Sequence, residues 1–302
     1  MVTESFVQEV LAIQPENVER SVPMSRYTTF QIGGPADLFV EPAGEEAFSR
    51  LVKLCRSKNV PFLLIGAGSN LLVSDAGIDG VVFRLSGAFD YAKVSGTELA
   101  AGAATSLAKL AKTAQRAALS GLEFASGIPG SLGGAVFMNA GAYGGEMKDV
   151  VIQTRFLDEN GNMQTVSDSE HDFSYRHSVF SAGGKFILSA KMSLSPKNPD
   201  EILTSMRDLN ARRKEKQPLE KPSAGSTFKR PEGFFAAKLI EDAGLKGAGV
   251  GGAGVSEKHA GFIVNNGGAT CEDVVRLIAK VQETVFSNFG VMLEPEVKVI
   301  GR

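Results

Sequence analysis

The chain of 302 residues contains no tryptophan, only two cysteines and three histidines. Cys55 and Cys271 lie far apart in helical patterns with apolar neighbours, so we expect buried free thiols in a reducing compartment and no disulfide framework. His171, His177 and His259 have neither the spacing nor the cysteine or carboxylate company of a metal site. The sequence therefore predicts no bound metal.

The sequence also lacks a strong charge of one sign, because its formal net charge is −2. Because the chain has no excess of positive charge to attract a polyanion, we do not expect a nucleic-acid partner. The amino terminus shows no basic start followed by an apolar run, which argues against a signal peptide, and no apolar stretch runs long enough to cross a membrane. With 43% hydrophobic residues, we expect a soluble globular protein of the cytoplasm, acting as a monomer.

Glycine is the residue in excess, with 34 copies concentrated in residues 66–80, 121–145 and 243–268. In the second of these stretches no residue from Phe124 to Gly145 carries a charge. Glycine recurs too often there for a membrane span, and the stretch is too apolar for an ordinary surface loop. It is typical of a buried backbone against which a large flat ligand lies, although a tightly packed turn between two layers remains the alternative.

A second glycine turn, residues 66–71, follows a predicted strand at 61–65. Gly66-Ala-Gly68-Ser69-Asn70-Leu71 resembles the start of a dinucleotide fingerprint, but Leu71 replaces the third glycine and turn signals follow where a helix is required. A Rossmann unit is thereby excluded. A phosphate-binding turn and a simple tight turn both remain open.

Neither glycine turn, 66–71 or 127–134, contains a lysine or arginine. A diphosphate bound there would be neutralised by backbone N–H groups and hydroxyls. The uncharged run 135–145 could then face an aromatic ring system. Together these features suggest a dinucleotide with a large planar head, such as FAD.

Hydrophobic periodicity predicts an α+β protein with many hairpins rather than alternating βαβ units. A domain boundary is expected near residue 196, where two prolines interrupt the pattern. The predicted helices are 4–13, 45–58, 107–118, 202–216, 234–243 and 270–289. The predicted strands are 27–32, 36–40, 61–65, 81–85, 91–94, 98–101, 150–157, 163–166, 185–194 and 291–300.

The carboxy-terminal region has polar chemistry that the glycine stretches lack. Ser226 lies beside Lys229 and Arg230, while Glu294 and Glu296 are two apart in a predicted strand and so share a face. From spacing alone, a solvated sheet face is favoured over a reactive site for the two glutamates. A turn or cap role is likewise favoured over a catalytic one for Ser226.

Arg176 has aromatic residues on both sides, in the segment 173–180. This pattern fits a guanidinium that binds a carboxylate, and it equally fits a stacked surface arginine.

The run 127–144 closely resembles the flavin-binding signature of the UDP-N-acetylenolpyruvoylglucosamine reductase family. Four further stretches agree with the family in the same order, and so does the ending at residues 293–297. The likeness covers nearly the whole chain, and several separated motifs in order are more specific than any single one. The four stretches are 29–37, 66–75, 175–178 and 222–231.

The resemblance implies a two-subdomain FAD-binding fold of the vanillyl-alcohol-oxidase/PCMH type plus a carboxy-terminal α+β substrate domain. It implies an FAD-binding region at 1–196, with subdomains of about 1–85 and 86–196, and a substrate domain at 197–302. The expected cofactors are tightly and non-covalently bound FAD and NADPH as hydride donor. The expected partner is a UDP-sugar, in a reaction that forms UDP-N-acetylmuramate for peptidoglycan.

The resemblance also assigns roles. Arg176 and Glu296 would hold and polarise the enolpyruvyl carboxylate, while Ser226 would donate a proton. Substrate contacts are expected from Tyr175 and, for the diphosphate, from Lys216, Lys229, Arg230 and the 247–253 glycines. The expected flavin contacts are Gly66, Gly68, Ser69, Asn70, Leu71, Gly127, Pro129, Gly130, Ser131, Gly133, Gly134, Asn139, Ala140 and Gly141.

One departure from part of the family is visible. No tyrosine lies between Arg176 and Ser226, so the chain resembles the shorter subtype without a tyrosine loop over the substrate. Two other functions stay open at this point: a flavin oxidase of the same fold for another substrate, and a nucleotide-binding module without catalysis.

Overall fold

The protein is described here by a computed structural model that covers residues 2–302 and forms two compact units. The first unit contains the chain up to Glu19 together with residues 38–67 and 80–213. The second contains residues 20–37, 68–79 and 214–302. Two short amino-terminal segments therefore belong with the carboxy-terminal part of the chain. The division into three domains with a boundary at 196 stays a prediction.

An antiparallel five-stranded sheet is the centre of the first unit. Strands Val151–Leu157 and Phe186–Ser193 pair along most of their length, and Phe186–Ser193 also pairs with Glu98–Gly102. Side chains alternate across these strands, so one face can be buried against helices. The strand order is Met163–Ser167, Val151–Leu157, Phe186–Ser193, Glu98–Gly102, Ala92–Ser95.

Amphipathic helices cover this unit's core. Leu107–Arg116 buries Leu107, Leu110, Ala111 and Ala114, the i, i+3, i+4, i+7 face of the helix. Its amino end is capped by Ser106, whose hydroxyl accepts a hydrogen bond from the N–H of Lys109 at 3.2 Å. The other helices of the unit are Glu4–Ile13, Glu45–Ser57, Leu132–Phe137 and Pro199–Lys216, the last of which ends in the second unit.

A four-stranded sheet has the order Val18–Pro23, Pro35–Val40, Ile78–Arg84, Phe62–Ile65. Its last two strands are parallel, with Phe62 opposite Val81. Short two-residue strands occur at Leu119–Ser120, Gly141–Ala142, Gly145–Glu146 and Ser195–Pro196. The 3-10 turns are Met24–Tyr27, Gly87–Phe89, Glu123–Ala125, Met147–Asp149 and Asp168–His171.

In the second unit a long helix, Cys271–Phe289, packs against a small antiparallel sheet and the short helix Ala236–Asp242. Thr270 and Asp273 form a capping box at the start of the long helix, which the sequence predicts at 270–289. The sheet strands are Gly249–Val250, Ala253–Val255 and Ile263–Asn265. Strand Leu71–Val73 pairs in parallel with Lys298–Ile300.

The two thiols are buried, one in each unit, as the sequence predicts. Burial raises the pKa of Cys55 to about 12 and that of Cys271 to about 11, because a thiolate loses its hydration there. No helix within residues 2–302 is long and apolar enough to cross a membrane.

The periodic helices and most strands are confirmed to within a few residues. The predicted strand at 27–32 is wrong: Met24–Tyr27 is a 3-10 turn, and Gln31 adopts a left-handed φ of 56°. The predicted strand at 291–300 is confirmed only at Lys298–Ile300. Before it, Pro295 forms one isolated bridge to Phe228, since proline has no N–H to continue a ladder.

Candidate functional site

The uncharged stretch 121–145 of the first unit is held against the residues that directly follow Glu98–Gly102, an interior strand of the five-stranded sheet. The backbone N–H groups of Leu132 and Gly133 donate to the carbonyls of Thr105 and Ala103 at 2.8 and 2.9 Å. Those two amides are therefore used in anchoring the stretch. A short helix, Leu132–Phe137, and a hairpin of Gly141–Ala142 with Gly145–Glu146 follow.

Gly66 and Gly134 lie on either side of the Ser131 hydroxyl. A Cβ built on Gly66 would meet Ser131 Oγ at 2.7 Å, and Gly134 comes within 4 Å of the same position. Gly134 itself is exposed, and a Cβ there would meet only Ser131 Oγ, at 3.7 Å. The structure thus places Gly66, from the first glycine turn, next to Ser131 and Gly134 of the second. The result is a shallow cradle of backbone and one hydroxyl.

Other glycines of the stretch are required by packing. A Cβ on Gly127 would lie 2.2 Å from Asn210 Oδ1, and one on Gly133 would lie 3.0 Å from the Ala103 methyl. Gly141 faces Glu146 in the same way, at 2.6 Å. The packed-turn interpretation therefore applies to these three glycines, and the ligand-binding interpretation stays a prediction. Flavin contacts by these residues, and by Pro129 and Ala140, remain predictions.

Arg213 is a site residue that sequence reasoning missed. Helix Pro199–Lys216 carries it to the Gly127 carbonyl, to which its Nη1 donates a hydrogen bond. Its Nε is buried without a hydrogen-bond partner, and burial lowers its pKa while Tyr143 partly offsets that effect. A buried cation whose described partners are a carbonyl and a phenol suits an additional anionic partner.

Arg176 lies beside this stretch, as the expected role requires. Its Nη2 donates to the Gly141 carbonyl at 3.4 Å, and its guanidinium stacks on Tyr175 with 4.9 Å between the charge centre and the ring centroid. The residue has a left-handed φ of 54°. Non-glycine residues in this conformation carry strain and concentrate at functional sites.

Tyr175 is 47% exposed, which leaves its ring accessible for the predicted substrate contact. Asn139, by contrast, is completely buried. Its Nδ2 donates to Ser174 O and Glu146 Oε2, both at 3.0 Å, and its Oδ1 accepts from Lys148 N at 2.9 Å. The side-chain N–H groups and oxygen of Asn139 thus all have protein partners, and the predicted contact of this residue with the cofactor stays a prediction.

The rest of the first glycine turn belongs to the second unit. A Cβ on Gly68 would lie 2.0 Å from the carbonyl oxygen of Tyr27, so only glycine fits there. Asn70 Nδ2 donates to the carbonyl of Glu296 at 3.1 Å, and Asn70 O accepts from Lys298 N at 2.9 Å. Asn70, Leu71 and Ser69 are thus adjacent to a predicted catalytic residue.

Ser226 and Glu296 lie at neighbouring ends of two paired segments of the second unit. The N–H of Glu296 donates to the carbonyl of Thr227 at 2.8 Å, and Lys229 N donates to Glu294 O at 2.8 Å. Ser226 is exposed and Glu296 is half-buried. The structure therefore pairs the backbone next to Ser226 with that of Glu296, although the two residues are 70 positions apart in sequence.

The predicted diphosphate contacts differ in their surroundings. Lys229 forms an ion pair with Glu294, and Arg230 lies over the exposed ring of Phe235 at 4.0 Å. Lys216 is exposed at the end of its helix. All three cations are in or next to solvent, where they can meet an anion, but none is shown to bind one.

Comparisons with family models and with individual relatives indicate the same family. Residues 36–167 match the model of an FAD binding domain, and residues 217–300 match that of the UDP-N-acetylenolpyruvoylglucosamine reductase carboxy-terminal domain. The chain is 51% identical to the UDP-N-acetylenolpyruvoylglucosamine reductase of Agathobacter rectalis, over 99% of both chains. It is 53% identical to that of Caldanaerobacter subterraneus, over 92% of both. The chain belongs to the UDP-N-acetylenolpyruvoylglucosamine reductase family.

Solved structures agree with this assignment. The crystal structure of the Thermus caldophilus reductase superposes with a TM-score of 0.82 at 38% identity, covering 93% of this chain and 98% of that one. A Phl p 4 variant described as a glucose oxidase matches 65% of this chain and 45% of its own at a TM-score of 0.50 and 16% identity, which shows the fold alone. The expected α+β fold, with an FAD-binding part of the vanillyl-alcohol-oxidase/PCMH type, is confirmed.

Proposed function

We propose that this chain reduces the enolpyruvyl group of UDP-N-acetylglucosamine enolpyruvate to UDP-N-acetylmuramate, with NADPH as the hydride donor. Family membership over 99% of the chain supports the reaction. The position of Arg176 connects this reaction to particular residues. Its guanidinium lies against Gly141 at the end of the glycine-rich stretch.

The residues of the first unit fit FAD. Gly66 and Gly134 form a cradle with the Ser131 hydroxyl, and Arg213 supplies a half-buried cation whose Nε is buried without a hydrogen-bond partner. These groups would hold the diphosphate, since backbone, hydroxyl and guanidinium donors complement phosphate oxygens. The chemistry supplied by bound FAD would be the transfer of a hydride from NADPH to the substrate.

Arg176 would bind the enolpyruvyl carboxylate with its planar fork of N–H donors. As hydride arrives at C3, negative charge develops at C2 and on the carboxylate, where the Arg176 guanidinium would stabilise it and where Glu296 would do so by donating an O–H hydrogen bond. Ser226 would then give its hydroxyl proton to C2, so that one hydride and one proton are added across the double bond. Serine is a weak acid, but an enolate-like carbon is basic enough to take its proton.

The UDP moiety would be bound by Lys216, Lys229 and Arg230, with Tyr175 as a further substrate contact. The exposure of Lys216, Arg230 and Tyr175 and the partial exposure of Lys229 support this role, because a bound diphosphate has to reach them from solvent. We further propose that the reaction takes place in the cytoplasm and that the enzyme is a monomer. The two buried free thiols agree with a reducing compartment.

An anaerobic spectroscopic titration tests the function. The purified protein should be yellow, NADPH should bleach it, and the enolpyruvyl sugar nucleotide should restore the colour with formation of UDP-N-acetylmuramate. A flavoprotein that NADPH does not bleach would contradict the proposal. Bleaching without recovery on addition of the sugar nucleotide would favour a flavin enzyme of the same fold with another substrate.

A further inference from the structure

Asn139 lies at a junction of three segments of the first unit, all of them close to Arg176. Its backbone is part of the glycine-rich stretch, and its side chain reaches the hairpin at 145–148 and the turn at 174–177. All three of its side-chain hydrogen bonds are between 2.9 and 3.0 Å. An amide with two donor hydrogens and one acceptor oxygen satisfies these partners at once, which neither Asp nor Leu can do.

The turn that Asn139 holds is the one that carries Arg176. Ser174 and His177 form an antiparallel bridge with reciprocal backbone hydrogen bonds of 3.2 Å, and Arg176 lies inside that turn. The Ser174 carbonyl is the acceptor for Asn139 Nδ2. A further bond, from Ser178 Oγ to the Phe137 carbonyl at 2.7 Å, ties the end of the turn to the same stretch. The position of Arg176 is thus fixed relative to residues 137–141.

Glu146 connects the same junction to the charge of Arg176. Burial opposes ionisation of Glu146, but hydrogen bonds from Lys148 and Asn139 and the charges of Lys148 and Arg176 outweigh it, so its pKa lies below the ordinary value. Glu146 also forms an ion pair with Lys148 at 2.8 Å. One carboxylate therefore faces Asn139, Lys148 and Arg176.

We infer that Asn139 is a positioning residue for Arg176: its buried amide sets the distance of that guanidinium from the glycine-rich stretch and makes no contact with the cofactor. The inference rests on the proposed function, in which Arg176 binds the substrate carboxylate. A guanidinium displaced by about 1 Å loses much of its effect on a developing charge, so the carboxylate-dependent step should suffer most.

The test separates the two half-reactions in Asn139→Ala holoenzyme by anaerobic stopped flow. We expect flavin reduction by NADPH to change less than about threefold and reoxidation by the enolpyruvyl sugar nucleotide to slow about 10- to 100-fold. FAD affinity, measured by flavin fluorescence, should stay within about threefold, because the side chain is not aimed at the cofactor. A large loss of FAD affinity, or equal slowing of both half-reactions, would overturn the inference.

Two controls address the backbone of Asn139, which has a left-handed φ of 43°. Asn139→Gly relieves the strain that alanine suffers there but restores no hydrogen bond, so it should be as slow as Asn139→Ala. Recovery in the glycine variant would assign the effect to backbone strain instead. Asn59→Ala is the matched control, since Asn59 is exposed, has a φ of 54° and should leave both half-reactions unchanged.

A double-mutant cycle shows whether Asn139 acts through Arg176. In an Arg176→Met background, Asn139→Ala should slow reoxidation by less than about twofold, because the group it positions is gone. Full additivity of the two substitutions would overturn the inference. Failure of the proposed function is distinguishable, since then wild-type enzyme itself would show no bleaching by NADPH or no recovery with the sugar nucleotide.

Discussion

Buried and exposed side chains distinguish the candidate residues of the two units. In the first unit, Asn139 is fully buried and Arg213 has a buried Nε, and both are fixed by hydrogen bonds to carbonyl groups of neighbouring turns. In the second unit Ser226 is exposed, and Glu296 is fixed through its backbone while its side chain is half-buried. The first arrangement suits binding a large ligand rigidly, whereas the second leaves a hydroxyl accessible for proton transfer.

Removing the exposed hydroxyl should have the largest effect. In Ser226→Ala, reoxidation of the reduced enzyme by the enolpyruvyl sugar nucleotide should slow about 10²- to 10⁴-fold, the usual range for loss of a general acid. Flavin reduction by NADPH should change less than about twofold. Stopped-flow absorbance of the flavin measures both, with Ser223→Ala as a nearby serine control. Equal slowing of the two half-reactions would contradict the role of Ser226 as proton donor. It would also weaken the contrast between the buried residues of the first unit and the exposed hydroxyl of the second.

Removing the buried cation should have an intermediate effect, and on binding rather than on proton transfer. In Arg213→Met, FAD affinity should fall about 10- to 100-fold, the value of one or two charge-assisted hydrogen bonds to a diphosphate. Flavin fluorescence during titration of the apoprotein measures it. Arg212→Met is the matched control, because Arg212 is 57% exposed on the same helix and forms an i, i+4 ion pair with Asp208. Equal affinity in both variants would contradict a role for Arg213 in binding the diphosphate.

The smallest effects should come from the helix caps, one in each unit. Thr270→Ala removes half of a capping box and should cost about 1 kcal/mol, whereas Ser106→Ala removes a single cap and should cost roughly 0.5 kcal/mol. Both are measured as the free energy of unfolding in urea. A larger loss of unfolding free energy in Ser106→Ala than in Thr270→Ala would contradict this prediction.

The stabilisation from the capping box of the second unit should also depend on pH. Backbone hydrogen bonds from Thr270 and Gly252 lower the pKa of Asp273. The stabilisation is therefore present above the ordinary aspartate pKa of about 3.9 and is lost as the pH falls through the lowered folded-state pKa. The stability gap between wild type and Asp273→Asn should accordingly close at acid pH, and a gap independent of pH would exclude this linkage.

Several parts of the fold could be read from the sequence because they depend on local rules. The apolar face of Leu107–Arg116 and the capping box at Thr270 follow from spacing alone. The absence of a Rossmann unit followed from Leu71, which begins a strand in the structure. The strand predicted at 27–32 failed because the left-handed Gln31 and the turn around it are stabilised by contacts that spacing does not show.

Which side chains meet was decided only by the tertiary structure. Arg213 lies 86 residues from the Gly127 carbonyl that it binds, so no local pattern connects it to a glycine turn that contains no cation of its own. The sequence determined that a glycine-rich stretch without charge exists, since glycine spacing is a local property. Only folding decided which of those glycines pack against neighbours, which form a cradle beside Ser131, and why Asn139 faces inward, because long-range packing fixes these contacts.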